Sequence, residues 1–127
     1  MVSEERKYTR THEWVRSEGG RLVVGITDYA QNALGDITFV ELPAVGASVF
    51  KGRECAVIES VKAATEIFAP VTGDVAEVNL ALEDAPEKVN GDPFGEGWIF
   101  KLTNFEPGEL EELMDHSEYE RHLESEQ

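Results

Sequence analysis

Short apolar runs separated by glycine and proline dominate the chain, a pattern typical of a β-rich domain. A two-residue turn at Gly19 and Gly20 joins the first two of these runs as a hairpin. Many short strands at such spacing predict a small barrel or sandwich. The predicted strands cover residues 13–16, 22–26, 36–42, a short stretch around Val49, 53–60, 65–69, 75–78 and 97–102.

One short helix is predicted early in the chain. Asp28 and Gln31 have the spacing of a capping box, and Gly35 stands where a helix C-cap belongs. These signals predict a helix over 29–34. A loop with a further short helix, limited by Pro86, is predicted over 79–90.

The C-terminal part of the chain changes from strand to helix signals. Pro107 suits a helix start, and Leu110, Leu113 and Met114 follow with the spacing of one helical face. Ser117 and Glu120 have the spacing of a second capping box. We therefore expect one domain over 1–127, with a core over about 6–103 and a helical extension over about 106–125.

Composition narrows the classes of function. The 127 residues include 26 acidic and 11 basic side chains, a formal net charge of −15. Nucleic acids and anionic membranes both require basic surfaces, so neither is expected as a partner. No apolar stretch reaches the roughly 20 residues that cross a bilayer, and the first seven residues are polar. We expect a cytoplasmic monomer.

The residues that carry chemistry in many enzymes are sparse. The lone cysteine, Cys55, cannot form an internal disulfide, and it lies in a predicted strand as a structural thiol. His116 and His122 are predicted to be solvated, and His12 to form a surface pair with Glu13. No catalytic set, nucleotide-binding glycine motif or metal-ligand spacing is present, which favours a non-catalytic protein.

Lys62 falls between two predicted strands, in the segment Glu-Ser-Val-Lys-Ala. This position predicts the tip of a hairpin, where a lysine is exposed and reachable by a modifying enzyme. Taken alone, such a lysine is usually a plain turn residue.

Several blocks of sequence nevertheless resemble one family, the glycine cleavage H proteins. The blocks are Tyr-Thr at 8–9, His-Glu-Trp-Val at 12–15, 24–31, 34–36, 39–43, Glu-Ser-Val-Lys-Ala at 59–63, 69–75, 77–79, Asn90 with 92–94, and Gly-Trp at 97–98. Together they cover nearly the whole chain, from about residue 6 to about residue 125, in the family's order. Trp14 and Trp98 are expected in the core.

The resemblance implies a mainly β, lipoyl-type barrel-sandwich hybrid, a flattened β-barrel with a short early helix and C-terminal helices. It also implies (R)-lipoate joined to Lys62 by an amide bond. The implied partners are glycine decarboxylase (P protein), aminomethyltransferase (T protein), dihydrolipoamide dehydrogenase (L protein) and a lipoate ligase or lipoyl transferase. The carrier would bring an aminomethyl group from glycine decarboxylase to the aminomethyltransferase. It would then present its dithiol to dihydrolipoamide dehydrogenase for reoxidation.

Four further residues match family positions. Glu13 and Glu66 are candidates for contact with the cationic aminomethyl group on the arm. Glu59 and Gly73 are candidates for recognition by lipoylating enzymes, although Gly73 could instead serve a tight turn at positive φ. A histidine found in the early helix of some family members is replaced here by Ala33.

Five alternatives remain from the sequence. A biotinyl domain would favour methionines beside the lysine, where Val61 and Ala63 stand. A lipoyl domain of a 2-oxoacid dehydrogenase, or a protein that relays lipoate to other enzymes, would share the arm. An enzyme using Lys62 as a Schiff-base amine needs a buried lysine of lowered pKa, and a purely structural domain would leave it unmodified.

Overall fold

The computed structural model describes residues 6–125. Residues 1–5 and 126–127, which the predicted domain over 1–127 includes, lie outside the described residues. The strands are β1 (Lys7–Tyr8), β2 (Glu13–Glu18), β3 (Arg21–Ile26), β4 (Ile37–Glu41), β5 (Ser48–Val49), β6 (Glu54–Ser60), β7 (Ala64–Phe68), β8 (Gly73–Val78) and β9 (Phe100–Thr103). The helices are α1 (Asp28–Leu34), α2 (Ala81–Asp84), α3 (Lys88–Gly91), α4 (Pro107–Leu110) and α5 (His116–Ser125).

Two antiparallel sheets form the body of the protein. One has six strands in the order β1-β2-β3-β9-β8-β5, and the other has three in the order β4-β6-β7. Residues from both sheets meet in one hydrophobic core, including Val24, Ile58 and Leu102, each fully buried. The predicted mainly β, flattened barrel-sandwich architecture with short helices is therefore confirmed.

The outer face of the six-stranded sheet carries a second apolar cluster. Alternation along β2 and β3 sends Trp14 and Val23 to this face, where Tyr8 and Tyr119 of α5 cover them. The indole N–H of Trp14 donates to the carbonyl oxygens of Ile26 and Pro93. Trp14 is fully buried as predicted, whereas Trp98 is half-buried at the edge of the cluster.

The strand predictions hold in outline, with most strand ends shifted by one or two residues. The last strand begins at Phe100 rather than at Gly97, because the amide of Gly97 bonds the Asp92 carbonyl in a tight loop. Strand β1 was not predicted. Its Tyr8 exchanges backbone hydrogen bonds with Met114, more than 100 residues away, which no local pattern reveals.

The predicted helix caps are displaced. The N-cap of α1 is Thr27, whose hydroxyl accepts from the Ala30 amide, so the cap predicted at Asp28 is wrong by one residue. Gly35 is the predicted C-cap, at φ 80°. In the region predicted as one loop with a short helix, α2 and α3 form instead.

The C-terminal helices begin and end at other residues than predicted. Pro107 starts α4 as expected, but the helix ends at Leu110. Leu113 therefore packs on the main core and Met114 on the second cluster, rather than on one helical face. The capping box of α5 is formed by Asp115 and Glu118, not by Ser117 and Glu120.

Candidate site at the Lys62 turn

Lys62 lies in the turn that joins β6 to β7, as predicted. The Ser60 amide donates to the Ala63 carbonyl oxygen at 2.8 Å and closes the turn. The Ser60 hydroxyl oxygen accepts from the amides of Lys62 and Ala63 at 3.1 and 3.2 Å. A local serine thus satisfies the turn's backbone while the residues from Val61 to Glu66 remain exposed.

The loop after α1 supports this turn from beneath. The Val61 amide donates to the Asp36 carbonyl oxygen at 3.0 Å. A Cβ atom on Gly35 would lie 3.4 Å from Cε of Lys62, so the aliphatic stem of the lysine lies against this glycine. Asn90 fixes the same loop by donating to the carbonyl of Gly35 and accepting from the Ile37 amide. Hydrogen bonds therefore join the base of the lysine to the loop after α1.

The Lys62 side chain is accessible from solvent, and within residues 6–125 it makes no ion pair or hydrogen bond. A Schiff-base lysine would need burial. The environment of Lys62 instead suits a lysine that is modified from outside.

Glu13 occupies a different environment, at the start of β2. Only 1% of it is exposed. The hydroxyls of Thr9 and Thr11 each donate to its Oε1 at 2.5 Å, and the Phe68 amide donates to its Oε2 at 3.1 Å. Burial raises the pKa of the Glu13 carboxyl above its ordinary value, although these three hydrogen bonds act in the opposite direction.

A pocket of about 260 Å³ lies next to this carboxylate. Its walls come from the turn after β1, from the end of β7 and from the segment between α4 and α5. Lys51 and Glu112 form an ion pair among the residues that line it. The lining comprises Tyr8, Thr9, Arg10, Thr11, Glu13, Lys51, Gly52, Phe68, Ala69, Pro70, Glu112, Leu113 and Met114.

Glu59 and Glu66 lie on another surface, the outer face of the three-stranded sheet. Glu59 pairs with Ala64, and Glu66 pairs with Val57, so the two carboxylates are diagonal neighbours on one face. Both are exposed and form no ion pair within the described chain. The structure thus brings Glu59 and Glu66 together near the lysine turn and sets Glu13 apart in the pocket.

Gly73 begins β8, and its backbone does not adopt positive φ. The tight-turn interpretation is therefore wrong. A Cβ atom here would lie 3.1 Å from the Thr103 carbonyl oxygen and 3.2 Å from Cα of Phe105. The absence of a side chain at Gly73 therefore permits the close approach of the chain at Phe105.

Two histidines differ from their predicted surroundings. His12 is half-buried at φ 74°, and its Nδ1 lies 2.9 Å from the Tyr119 hydroxyl. His122 is half-buried as well, so the predictions of a surface pair and of solvation are wrong. His116 is exposed as predicted and pairs with Glu120.

Cys55 is half-buried in β6. Burial, with a smaller contribution from the negative charge of Glu13, raises the pKa of the Cys55 thiol to about 12. The thiol is therefore protonated at neutral pH and is a poor nucleophile, in agreement with the structural role predicted for it.

Two absences concern the described residues only. Between residues 6 and 125, no group of three or more histidine, cysteine, aspartate or glutamate side chains could hold a metal ion. None of the helices in that range has the length and apolar character needed to cross a membrane.

The sequence did not single out the two threonines that hold Glu13. Thr9, Thr11 and Glu13 stand at every second position, a spacing that would place side chains on one side of an extended segment, but residues 9–12 form a turn. That spacing was the available signal, but it is too common in loops to be specific. Tyr119 gave no signal, because its partners are about 100 residues distant.

The protein is a flattened two-sheet barrel with an exposed lysine at the tip of a hydrogen-bonded hairpin turn. This architecture is that of a lipoyl-type carrier domain. Residues 6–126 match the family model described as "Glycine cleavage H-protein". The chain is 58% identical to a glycine cleavage system H protein of Thermus thermophilus over 98% of both chains, and 54% identical to one of Escherichia coli over 98% of both.

A solved structure agrees with the sequence relatives. The crystal structure of a glycine cleavage system H protein from Mycobacterium marinum superposes with a TM-score of 0.82 at 38% identity, covering 93% of this chain and 95% of that one. The chain belongs to the glycine cleavage H-protein family, the lipoyl carriers of the glycine cleavage system. The resemblance stated from sequence is thereby confirmed.

Proposed function

We propose that Lys62 is the attachment point of (R)-lipoate, joined through an amide bond to Nζ. The observation that carries this proposal is the exposed amine of Lys62, without an ion pair in residues 6–125, on a base fixed by Ser60, Asp36 and Gly35. A hydrogen-bonded base with a free amine suits both access by a lipoylating enzyme and presentation of a long arm to several partners.

Bound lipoate would supply a dithiolane that accepts an aminomethyl group and is afterwards reoxidised, chemistry that the single protonated Cys55 thiol does not offer. The proposed partners are glycine decarboxylase, the aminomethyltransferase, dihydrolipoamide dehydrogenase and a lipoate ligase or lipoyl transferase. We propose that the chain over 1–127 is a non-catalytic cytoplasmic monomer, with a core over about 6–103 and a helical extension over about 106–125.

Glu13 and Glu66 are proposed to contact the aminomethyl cargo. An amine of this kind is protonated near neutral pH, and a carboxylate stabilises it most strongly where water is excluded. Glu13 meets that condition, because it is 99% shielded from solvent at the pocket. Glu66 lies on β7, between the Lys62 turn and Phe68 at the pocket. This exposed position suits a weaker contact with the cargo between the turn and the pocket.

Glu59 and Gly73 are proposed to support lipoylation. Glu59 is exposed three residues before the lysine and is free to meet a cationic group on the modifying enzyme. Gly73 acts indirectly, because the absence of its side chain permits the close packing of β8 against Phe105.

The attachment site is tested by intact-protein mass spectrometry. The protein is incubated with lipoate, ATP and a lipoate ligase, and then reconstituted with the three partner enzymes. The wild type is expected to gain one lipoyl mass and to support glycine cleavage. Lys62→Arg is expected to gain no mass and to lose turnover, because a guanidinium cannot form the amide under these conditions.

Lys88→Arg is the matched control, since Lys88 is a lysine whose ion pair with Glu96 an arginine retains. It is expected to be lipoylated as fast as the wild type. Lipoylation of Lys62→Arg, or glycine cleavage by that variant, would remove Lys62 from the proposal.

A further inference from the structure

The turn that holds Glu13 is itself held by the C-terminal helix. Residues 9–12 form this turn, in which the His12 amide bonds the Thr9 carbonyl at 3.1 Å and the Thr9 amide bonds the Glu13 carbonyl at 2.9 Å. His12 has positive φ, which costs a non-glycine residue conformational energy. A turn of this kind keeps its shape only when contacts from outside favour it.

Helix α5 supplies those contacts at two points. Nε2 of His122 lies 3.0 Å from the carbonyl oxygen of Arg10, and since that oxygen can only accept, the ring nitrogen donates. The Tyr119 hydroxyl lies 2.9 Å from Nδ1 of His12. Both contacts fall on the turn whose threonines bond the Glu13 carboxylate.

The Tyr119 hydroxyl also reaches α1. It lies 2.6 Å from the hydroxyl of Thr27, the N-cap of that helix. The other end of α1 is Gly35, against which the stem of Lys62 lies. One buried hydroxyl therefore joins the turn at Glu13 to the helix that supports the lysine.

We propose that Tyr119 and His122 are positioning residues for the Glu13 carboxylate, so that α5 sets the geometry in which the aminomethyl cargo is held. This inference rests on the proposed role of Glu13. The C-terminal helix thus acts on the pocket without touching the arm. Glu112, Leu113 and Met114, just before α5, form one wall of the same pocket, so the segment contributes to it directly as well.

The first test uses Tyr119→Phe in the unmodified protein. This change keeps the ring, which stacks on Tyr8 at 4.6 Å, and removes only the hydroxyl. Amide hydrogen exchange is followed by NMR at Glu13 and Phe68, whose amides bond Thr9 Oγ1 and Glu13 Oε2. Loss of the hydroxyl is expected to accelerate both about fivefold, because the turn loses its hydrogen bond between Tyr119 and His12.

The exchange experiment has two internal references. The Val75 amide bonds Ala47 in a distant part of the sheet and reports exchange far from the turn, so it is expected to change less than Glu13 and Phe68. Tyr29→Phe is the matched control. Its ring packs on the same His12 at 4.7 Å, but its hydroxyl makes no hydrogen bond in the described chain, so exchange at Phe68 is expected to stay unchanged.

The second test follows ammonia release from the lipoylated, aminomethyl-loaded protein. Tyr119→Phe and Glu13→Gln are each expected to accelerate release. The double variant is expected to match Glu13→Gln alone, because the tyrosine acts only through the carboxylate. His122→Ala provides an independent variant should Tyr119→Phe fail to fold, with His122→Gln expected to restore slow exchange by donating to Arg10.

The outcomes separate the two proposals. Exchange at Phe68 that changes only in step with Val75, or not at all, overturns the positioning role and leaves the role of Glu13 standing. Unchanged ammonia release in Glu13→Gln overturns the role of Glu13, and with it the effect of α5 on the cargo. Additive effects in the double variant overturn the route through the carboxylate.

Discussion

Glu13 shows how opposing electrostatic effects meet at a single residue. Burial to 1% exposure favours the neutral acid, whereas donors from Thr9, Thr11 and Phe68 favour the anion. The effect of burial is the larger, so the pKa is raised. A carboxylate in this state is costly by itself, and a cation that entered the pocket would relieve the cost by pairing with it.

This balance predicts a pH dependence of stability. Because the pKa of Glu13 is raised in the folded protein, its contribution is complete below the unfolded-state value of 4.5 and is lost as pH rises through the folded-state pKa. Gln cannot ionise. The unfolding free energy of Glu13→Gln minus that of the wild type is therefore expected to increase with pH. The increase is about 1.4 kcal/mol per pH unit between the two pKa values.

Urea unfolding at several values from about pH 4 to about pH 8 measures the difference. Only its slope with pH matters, because an amide also changes the hydrogen bond with Phe68. Glu59→Gln, which makes the same substitution at an exposed position, is the control against which this slope is compared. A gain of the wild type over Glu13→Gln with rising pH would contradict the assignment of a raised pKa.

At the scale of single elements, the helices depend on caps and on tertiary contacts more than on length. Helices α2, α3 and α4 have four residues each, too few to be stable in isolation. Helix α5 has ten residues and a reciprocal capping box, in which Asp115 and Glu118 each accept from the amide of the other. At the N-terminus of α5, a single side chain therefore has its largest effect on the stability of the helix.

The cap predicts a contrast between two neighbouring substitutions. Asp115→Ala is expected to lower the unfolding free energy by about 1 kcal/mol, because the Glu118 amide loses its acceptor. Ser117→Ala is expected to change it by less than about 0.5 kcal/mol, since that side chain is exposed and caps nothing in the described chain. Urea denaturation of both variants decides between the two capping boxes, and the reverse order would support the box at Ser117.

At the scale of the whole molecule, charge is the dominant feature. A net charge of −15 on 127 residues keeps the protein soluble and opposes the compact state by self-repulsion. Salt screens this repulsion, since the Debye length falls from about 30 Å at 0.01 M to about 8 Å at 0.15 M. The ion pairs of the described residues, such as Lys101 with Glu18, lie at the surface and offset little of this repulsion.

We therefore expect the urea midpoint of unfolding to rise when NaCl is increased from about 0.01 M to about 0.15 M. A variant with Glu111→Lys and Glu124→Lys carries less negative charge at two exposed positions and is expected to respond less to salt. A midpoint that falls with salt in the wild type would mean that attractive ion pairs outweigh the repulsion.

The sequence alone determined the strand pattern, the position of α1 and the place of Lys62 at a hairpin tip. These are local properties, because alternation, turn glycines and a lysine between two strands all act over a few residues. The family followed from blocks in the same order along the chain. The caps Thr27 and Asp115 were not predicted, because several neighbouring polar residues compete for each cap.

Only the tertiary structure decided the environment of the predicted residues. Glu13 and Glu66 look alike in sequence, yet the fold buries one beside a pocket and leaves the other on an outer sheet face. His12 meets Tyr119 across 107 positions. Burial and pairing of this kind arise when distant segments pack together. The sequence pattern within either segment therefore does not predict them.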